Sequence, residues 1–316
     1  MPIFISPLKR GLTTGFCLFI FGILSGIGAQ GTQDENSHFD LALRIFNDGL
    51  YANAAHEFKQ FIINFPTSDR LPDAMLRLGQ AHAHAEQYEQ ALEAFQQFID
   101  RYPSHLEVAI AMRARADALN RLGEYTKAGM AYQEVHAAYP EAEYAVEDLL
   151  SAGRNYHQGA ALLEAGIAFH QLVAQYPKSP LVNEAIFNLG RVLLQEKRAE
   201  EALTQFRAIV EFSGPTERKP DALLEMGKIA LSRNDLPEAE RVFIDLRKRF
   251  PKTSAAENSY LVLAGWFADR NDWKKAEDTF NKATLNLPGN TRRQQAVLGS
   301  ANAKRKRKTQ TQRKKI

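Results

Sequence analysis

Residues able to do chemistry are few in this chain, and their spacing suits binding better than catalysis. His82 and His84 are the nearest thing to a ligand pair. Two apart on a helix they leave on different sides, whereas helical metal ligands stand three or four apart. The remaining histidines of the eight scatter without spacing. No G-x-S-x-G, H-E-x-x-H or glycine-rich phosphate loop occurs. Cys17 is the single cysteine, which excludes an internal disulfide framework and any multi-cysteine zinc or iron–sulfur site. The sequence therefore predicts no catalytic residue, no metal and no cofactor.

Charge is the better guide. The chain has 316 residues, 45% apolar and 24% charged, enough to build a packed core. Its net charge of +3 hides a segregation. Lys9 and Arg10 are the only charges before residue 30, and residues 292–316 hold ten basic residues and no acid. Setting those twelve aside from the 40 leaves 28 basic residues against 37 acids, an acidic body with a basic end. The run is Lys304, Arg305, Lys306, Arg307 and Lys308, then Arg313, Lys314 and Lys315.

The first 29 residues read as an address. Lys9 and Arg10 precede the apolar stretch Phe16–Leu24, and small residues follow up to Ala29. That order is a secretory signal peptide. The alternative is an uncleaved inner-membrane anchor over residues 11–29, which carry no charge and are just long enough to span a bilayer. Either reading exports the body to the periplasm or cell envelope. A short linker, 30–34, follows.

Self-similarity then predicts the fold. Stepping by 37 from Pro66 gives Pro103, Pro140, Pro177, Gly214, Pro251 and Pro288. Stepping from Ala54 gives Ala91, Ala128, Ala165, Ala202, Ala239 and Ala276. An aromatic column runs Phe58, Phe95, Tyr132, Phe169, Phe206, Phe243 and Phe280, and a small-residue column runs Ala42, Gly79, Ala116, Gly153, Gly190, Gly227 and Ala264. Seven units follow, at 35–71, 72–108, 109–145, 146–182, 183–219, 220–256 and 257–293. Each reads as two helices with apolar residues three and four apart, closed by proline. The small columns let the two helices approach, and the aromatic fills the space beside them. No pair can bury its apolar side alone, so neighbours must stack. Residues 294–303 predict one capping helix, and 304–316 predict a disordered basic tail.

Leu78-Gly79, Tyr88, Ala91, Phe95 and Pro103 resemble the tetratricopeptide repeat pattern residue for residue, with a 37-residue unit in place of the usual 34. The resemblance covers about 260 residues and implies an all-α, right-handed superhelical solenoid that binds proteins. Asn64-Phe65-Pro66-Thr67-Ser68 and Gln175-Tyr176-Pro177-Lys178-Ser179-Pro180 resemble a bacterial envelope subgroup. That subgroup includes the outer-membrane assembly lipoprotein and the periplasmic coordinator of the Tol–Pal system.

The resemblance also implies where a partner lies. In such arrays the first helix of each unit lines a concave groove, and the ninth position of the unit faces it. Three consecutive ninth positions are Arg154, Arg191 and Lys228. Arg113, Arg121 and His157 are near neighbours in the pattern. This basic ladder would attract an acidic segment or a chain-terminal carboxylate. The plainer alternative is solvated helix charge paired with Glu147, Glu184 or Asp221 on the same helices. The fifth positions Phe39, Leu76, Leu150, Phe187, Leu224 and Leu261 are either a greasy groove floor or core.

Two further readings concern the basic end. It could hold anionic lipid or cell-wall polymer as a tether, or be a solubilising extension without a partner. Nucleic acid is disfavoured, since no aromatic interleaves the charges. The function expected is a non-enzymatic adaptor in the envelope, binding another envelope protein or peptide segment.

Overall fold

The computed structural model describes residues 34–287 and 291–313. The expected leader, all but the last residue of the linker, and Lys314 and Lys315 lie outside the described residues. Every regular element among the described residues is a helix. The first is α1 (34–47). Then follow α2 (Tyr51–Asn64), α3 (Leu71–His84), α4 (Tyr88–Arg101), α5 (Val108–Arg121), α6 (Tyr125–Ala138), α7 (Ala145–Gln158) and α8 (Leu162–Gln175). The remainder are α9 (Val182–Gln195), α10 (Ala199–Glu211), α11 (Lys219–Ser232), α12 (Leu236–Arg249), α13 (Ser254–Asp269), α14 (Trp273–Asn286) and α15 (Thr291–Arg313). Second helices start at Tyr51, Tyr88, Tyr125, Leu162, Ala199, Leu236 and Trp273, a step of 37 throughout. The chain falls into two compact units, 1–135 and 136–316.

Within each unit the helices pack in chain order, and the repeated columns explain why. Ala54, Ala91, Ala128, Ala165, Ala202, Ala239 and Ala276 are wholly buried. So are Phe58, Phe95, Phe169, Phe206 and Phe243. Opposite the ring sits the small column. A Cβ added at Gly79 would lie 2.6 Å from the Phe95 ring, and one at Gly190 2.6 Å from that of Phe206. These glycines are there because an aromatic already fills the space a side chain would need. The fifth-position residues Phe39, Leu76, Leu150, Phe187 and Leu224 are buried and belong to the core; Leu261 is half-buried.

The turn between paired helices holds a column the sequence did not advertise. Gly49, Glu86, Gly123, Ala160, Lys197, Asn234 and Asn271, again 37 apart, all have φ between 59 and 78°. The next N–H reaches back five residues, as Gln87 does to the His82 carbonyl (2.9 Å) and Ala161 to that of Tyr156 (2.8 Å). This left-handed closure satisfies carbonyls that the helix end would leave unpaired. Only two of the seven are glycine, so the other five positions carry a strained backbone.

The basic end differs from expectation. Helix α15 runs without interruption through Arg313, so the reading of 304–316 as disordered is corrected over 304–313. The physical reason is docking. Ala296 and Ala303 are buried, and the glycine at 299 lets the helix close on the Phe280 ring. Arg292 pairs with Glu257 at 2.5 Å. Arg307 Nε lies 3.2 Å from Glu277 Oε2, near enough to neutralise that buried carboxylate although not aligned as a hydrogen bond. Among the described residues, no helix is long and apolar enough to cross a membrane.

Candidate interaction face of the first helices

The second unit contains the ladder predicted from the sequence. Arg154, Arg191 and Lys228 occupy equivalent positions on α7, α9 and α11, held in register by the glycine–phenylalanine closures of each pair. Their electrostatic states differ. Arg154 Nη2 donates to Glu184 Oε1 (2.8 Å), a residue of the next first helix rather than its own. Glu184 also accepts from Arg218 Nε and from Asn188 Nδ2 (3.1 Å). Arg218 in turn donates to Asp221 (3.0 Å) and lies over the Phe187 ring. Burial raises the Glu184 carboxyl's proton affinity, but the hydrogen bonds and charges of Arg218 and Arg154 outweigh it, so its pKa falls below the usual glutamate value. Lys228 Nζ donates to Glu225 Oε1 (2.7 Å) on its own helix.

Arg191 is the exception. It is exposed and makes no ion pair among the described residues. His157 lies near enough to feel its charge. The His157 Nε2 donates to Gln195 Oε1 (3.0 Å). Burial first and Arg191 second lower the His157 pKa, against the raising effect of Gln195, so the ring is neutral near pH 7. Arg113 and Arg121 both lie on α5, in the other unit, Arg113 half-buried and Arg121 exposed.

Past Lys228 the face changes character. The next ninth position is Gly265 on α13, where an added Cβ would meet nothing within 4 Å. A shallow, open hollow of about 400 Å³ lies there, lined by Lys228, Leu231, Leu261, Val262, Gly265 and Trp266 among others. The Trp266 indole N–H donates to the Leu231 carbonyl (3.0 Å), and the Arg270 guanidinium covers the indole ring at 3.8 Å. On the other side of the same unit, Leu163 and Ile167 of α8 are exposed where the equivalent residues, Glu200 and Thr204, are polar on α10. Beside them Gly166 opens a cavity of about 690 Å³ over Leu189 and Val192.

Two groupings bear on metal binding. His82 Nδ1 bonds Gln87 Oε1 (2.7 Å), while His84 stacks on Tyr51 with centroids 4.7 Å apart, so the two rings serve separate neighbours. Asp73, His105 and Glu107 offer atoms within 4.8 Å of one another, a trio invisible in the sequence because a helix and a turn bring it together. His105 Nδ1 already accepts the Glu107 backbone N–H (3.2 Å), and that nitrogen is spent on the turn.

On the basic end, Lys304, Arg305, Lys306 and Lys308 are exposed, while Arg307 is engaged by Glu277. The four exposed residues occupy successive angles around α15, so they form a collar rather than a single stripe.

Helix pairs recurring every 37 residues, closed by a small residue against an aromatic and packed in chain order, define a helical-repeat protein. The sequence model described as Tetratricopeptide repeat matches residues 70–141, and a second of the same description matches 145–218 and 224–291. The chain belongs to the tetratricopeptide repeat family, whose arrays are scaffolds for protein–protein interaction. No curated protein matches the chain in sequence. Among solved structures, it is similar to the C-terminal part of a repeat-containing protein from Cytophaga hutchinsonii, with 15% identity, 83% of this chain and 98% of that one covered, and a TM-score of 0.57. A tetratricopeptide repeat protein from Parabacteroides merdae gives 15% identity, 85% and 99% coverage and a TM-score of 0.49. PilF of Pseudomonas aeruginosa gives 15% identity, 72% and 96% coverage and a TM-score of 0.41.

Proposed function

We propose that this protein is a non-catalytic adaptor of the bacterial cell envelope that holds an acidic segment of a partner protein against the first helices of its second unit. The observation that carries the reading is Arg191, an exposed cation with no ion pair among the described residues, between Arg154 and Lys228 whose charges are already met. An incoming carboxylate gains a charge-assisted hydrogen bond there without breaking an existing one. Export rests on the leader pattern of residues 1–29. A role in outer-membrane assembly or Tol–Pal-linked maintenance rests on the resemblance of the Asn64–Ser68 and Gln175–Pro180 phrases. The test is affinity purification of the full chain from cells crosslinked in the intact envelope. One envelope protein recovered with the native chain and lost with Arg191→Glu supports the adaptor; a partner list unchanged by Arg191→Glu sinks it.

A second reading, a peripheral tether to anionic lipid or cell-wall polymer, draws on the exposed Lys304, Arg305, Lys306 and Lys308. Each basic residue near an anionic surface contributes about 1 kcal/mol, screened by salt. Its test is cosedimentation with phosphatidylglycerol-containing vesicles after changing those four residues to glutamine. Arg307 is kept so that Glu277 stays neutralised. Binding unchanged by the substitutions or by salt would remove this reading.

A further inference from the structure

Gly265 differs from the glycines of the small-residue column, and the difference marks a subsite. Gly79, Gly153, Gly190, Gly227 and Gly299 each face a phenylalanine ring that leaves no room for a Cβ. Gly265 sits on a helix, at the position where the preceding three units carry Arg154, Arg191 and Lys228, and nothing lies within 4 Å of its missing Cβ. Packing does not require glycine there, its φ is not among the left-handed ones, and glycine inside a helix is destabilising. What the missing side chain provides is space. The cavity of about 400 Å³ has an apolar floor of Leu231, Leu261 and Val262 and an indole wall at Trp266. That indole is fixed by its bond to the Leu231 carbonyl and covered on one face by Arg270, itself part of the lining, so the wall is preorganised. At the rim stand Lys228, already paired with Glu225, and Arg270 beside the carboxylate of Asp269.

We propose that the Gly265 cavity is an anchor subsite that receives one bulky apolar side chain, aromatic or leucine-sized, of an extended acidic segment whose carboxylate rests on Arg191. The inference rests on the adaptor reading above and adds a spacing to it. Packed first helices stand about 10 Å apart. Arg191 on α9 and Gly265 on α13 are two first helices apart, and taking that spacing for each step puts them on the order of 20 Å apart. An extended chain advances about 3.3 Å per residue, so the anchor and the acidic residue are about six positions apart in the partner. Binding pairs an apolar pocket with a charge that fixes register.

The test uses the full chain and glycine–serine host peptides carrying an aspartate and a phenylalanine three, six or nine residues apart, in both orders. A peptide with aspartate alone is the control. Binding is read by peptide fluorescence anisotropy and, in a Trp273→Phe background, by the emission of Trp266, which lines the cavity. The expected result is affinity about tenfold higher for the six-residue spacing than for aspartate alone, with a shift in Trp266 emission. Gly265→Leu fills the space at a position where the structure has room, so its thermal melt holds while the tenfold gain and the emission shift are lost. Arg191→Glu weakens every peptide. Equal affinity at all spacings, or a gain that survives Gly265→Leu, overturns the subsite and leaves the Arg191 reading standing. A phenylalanine-dependent gain indifferent to Arg191→Glu overturns the charge reading and the six-residue rule with it. No binding by any peptide overturns both.

Discussion

In the second unit, Gly190 and Gly227 are pressed by phenylalanine rings inside their helix pairs, whereas a Cβ added at Gly265, at the ninth position of its unit on α13, would meet nothing within 4 Å. The same residue type answers opposite demands in the two places. In the interior it is the neighbour that dictates glycine, and the cost to the helix is recovered by burying a ring. On the face no neighbour dictates it, so the vacancy itself is what the position contributes. Charge divides in the same way. Glu184 gathers Arg154 and Arg218 into a closed network, while Arg191, about two turns further along the same helix, is left open.

The contrast can be broken most forcefully from the interior. Phe206→Ala empties a fully buried ring position and should cost about 3–5 kcal/mol in urea unfolding. A loss under about 1 kcal/mol would mean the ring does not hold the pair together. Gly190→Ala places a Cβ 2.6 Å from that ring and should cost about 1–3 kcal/mol by overpacking. Gly265→Ala is the matched substitution on the face and should instead stabilise by about 0.5–1 kcal/mol. If the two alanine variants shift the melt in the same direction, the distinction between the glycines collapses.

Glu184→Gln sharpens the comparison of charges. Its partners are half-exposed and screened, so the loss should be on the order of 1 kcal/mol at pH 7. The folded-state pKa is depressed, so this stability is present above the unfolded glutamate value near ~4.3 and fades as pH falls through the folded value below it. Unfolding curves of the native protein and the Glu184→Gln variant should therefore converge in acid; a constant gap across pH would refute the network. The smallest effect lies in the turns. Ala160 holds φ 59°, and Ala160→Gly should stabilise by about 0.5–1 kcal/mol, a rise of a few degrees at most in the melt.

Much of the architecture was legible because the unit is written seven times. The alanine, aromatic and small columns each recur at 37, and the second helices begin at that step. The left-handed turn column was not legible: glutamate, alanine, lysine and asparagine share no chemistry, and only the backbone unites them. The alternative of pairing within one helix does not describe Arg154, whose partner Glu184 lies 30 positions on, beyond the i,i+4 neighbours that a sequence displays. The fifth-position residues allowed two readings, floor or core, and burial of Phe39, Leu76, Leu150, Phe187 and Leu224 decided for core. The basic run read as disordered because like charges repel. The buried Ala303 and the Glu277–Arg307 contact, which extend the helix, lie on surfaces that only meet after folding.

By itself, then, the sequence determined the period, the helix pairs and the family, because a local pattern repeated at fixed spacing must bury the same face each time. Tertiary structure decided which charges are spent and which positions are empty. Those properties depend on what the neighbouring helix places within a few ångströms, and no column of residue types records that distance.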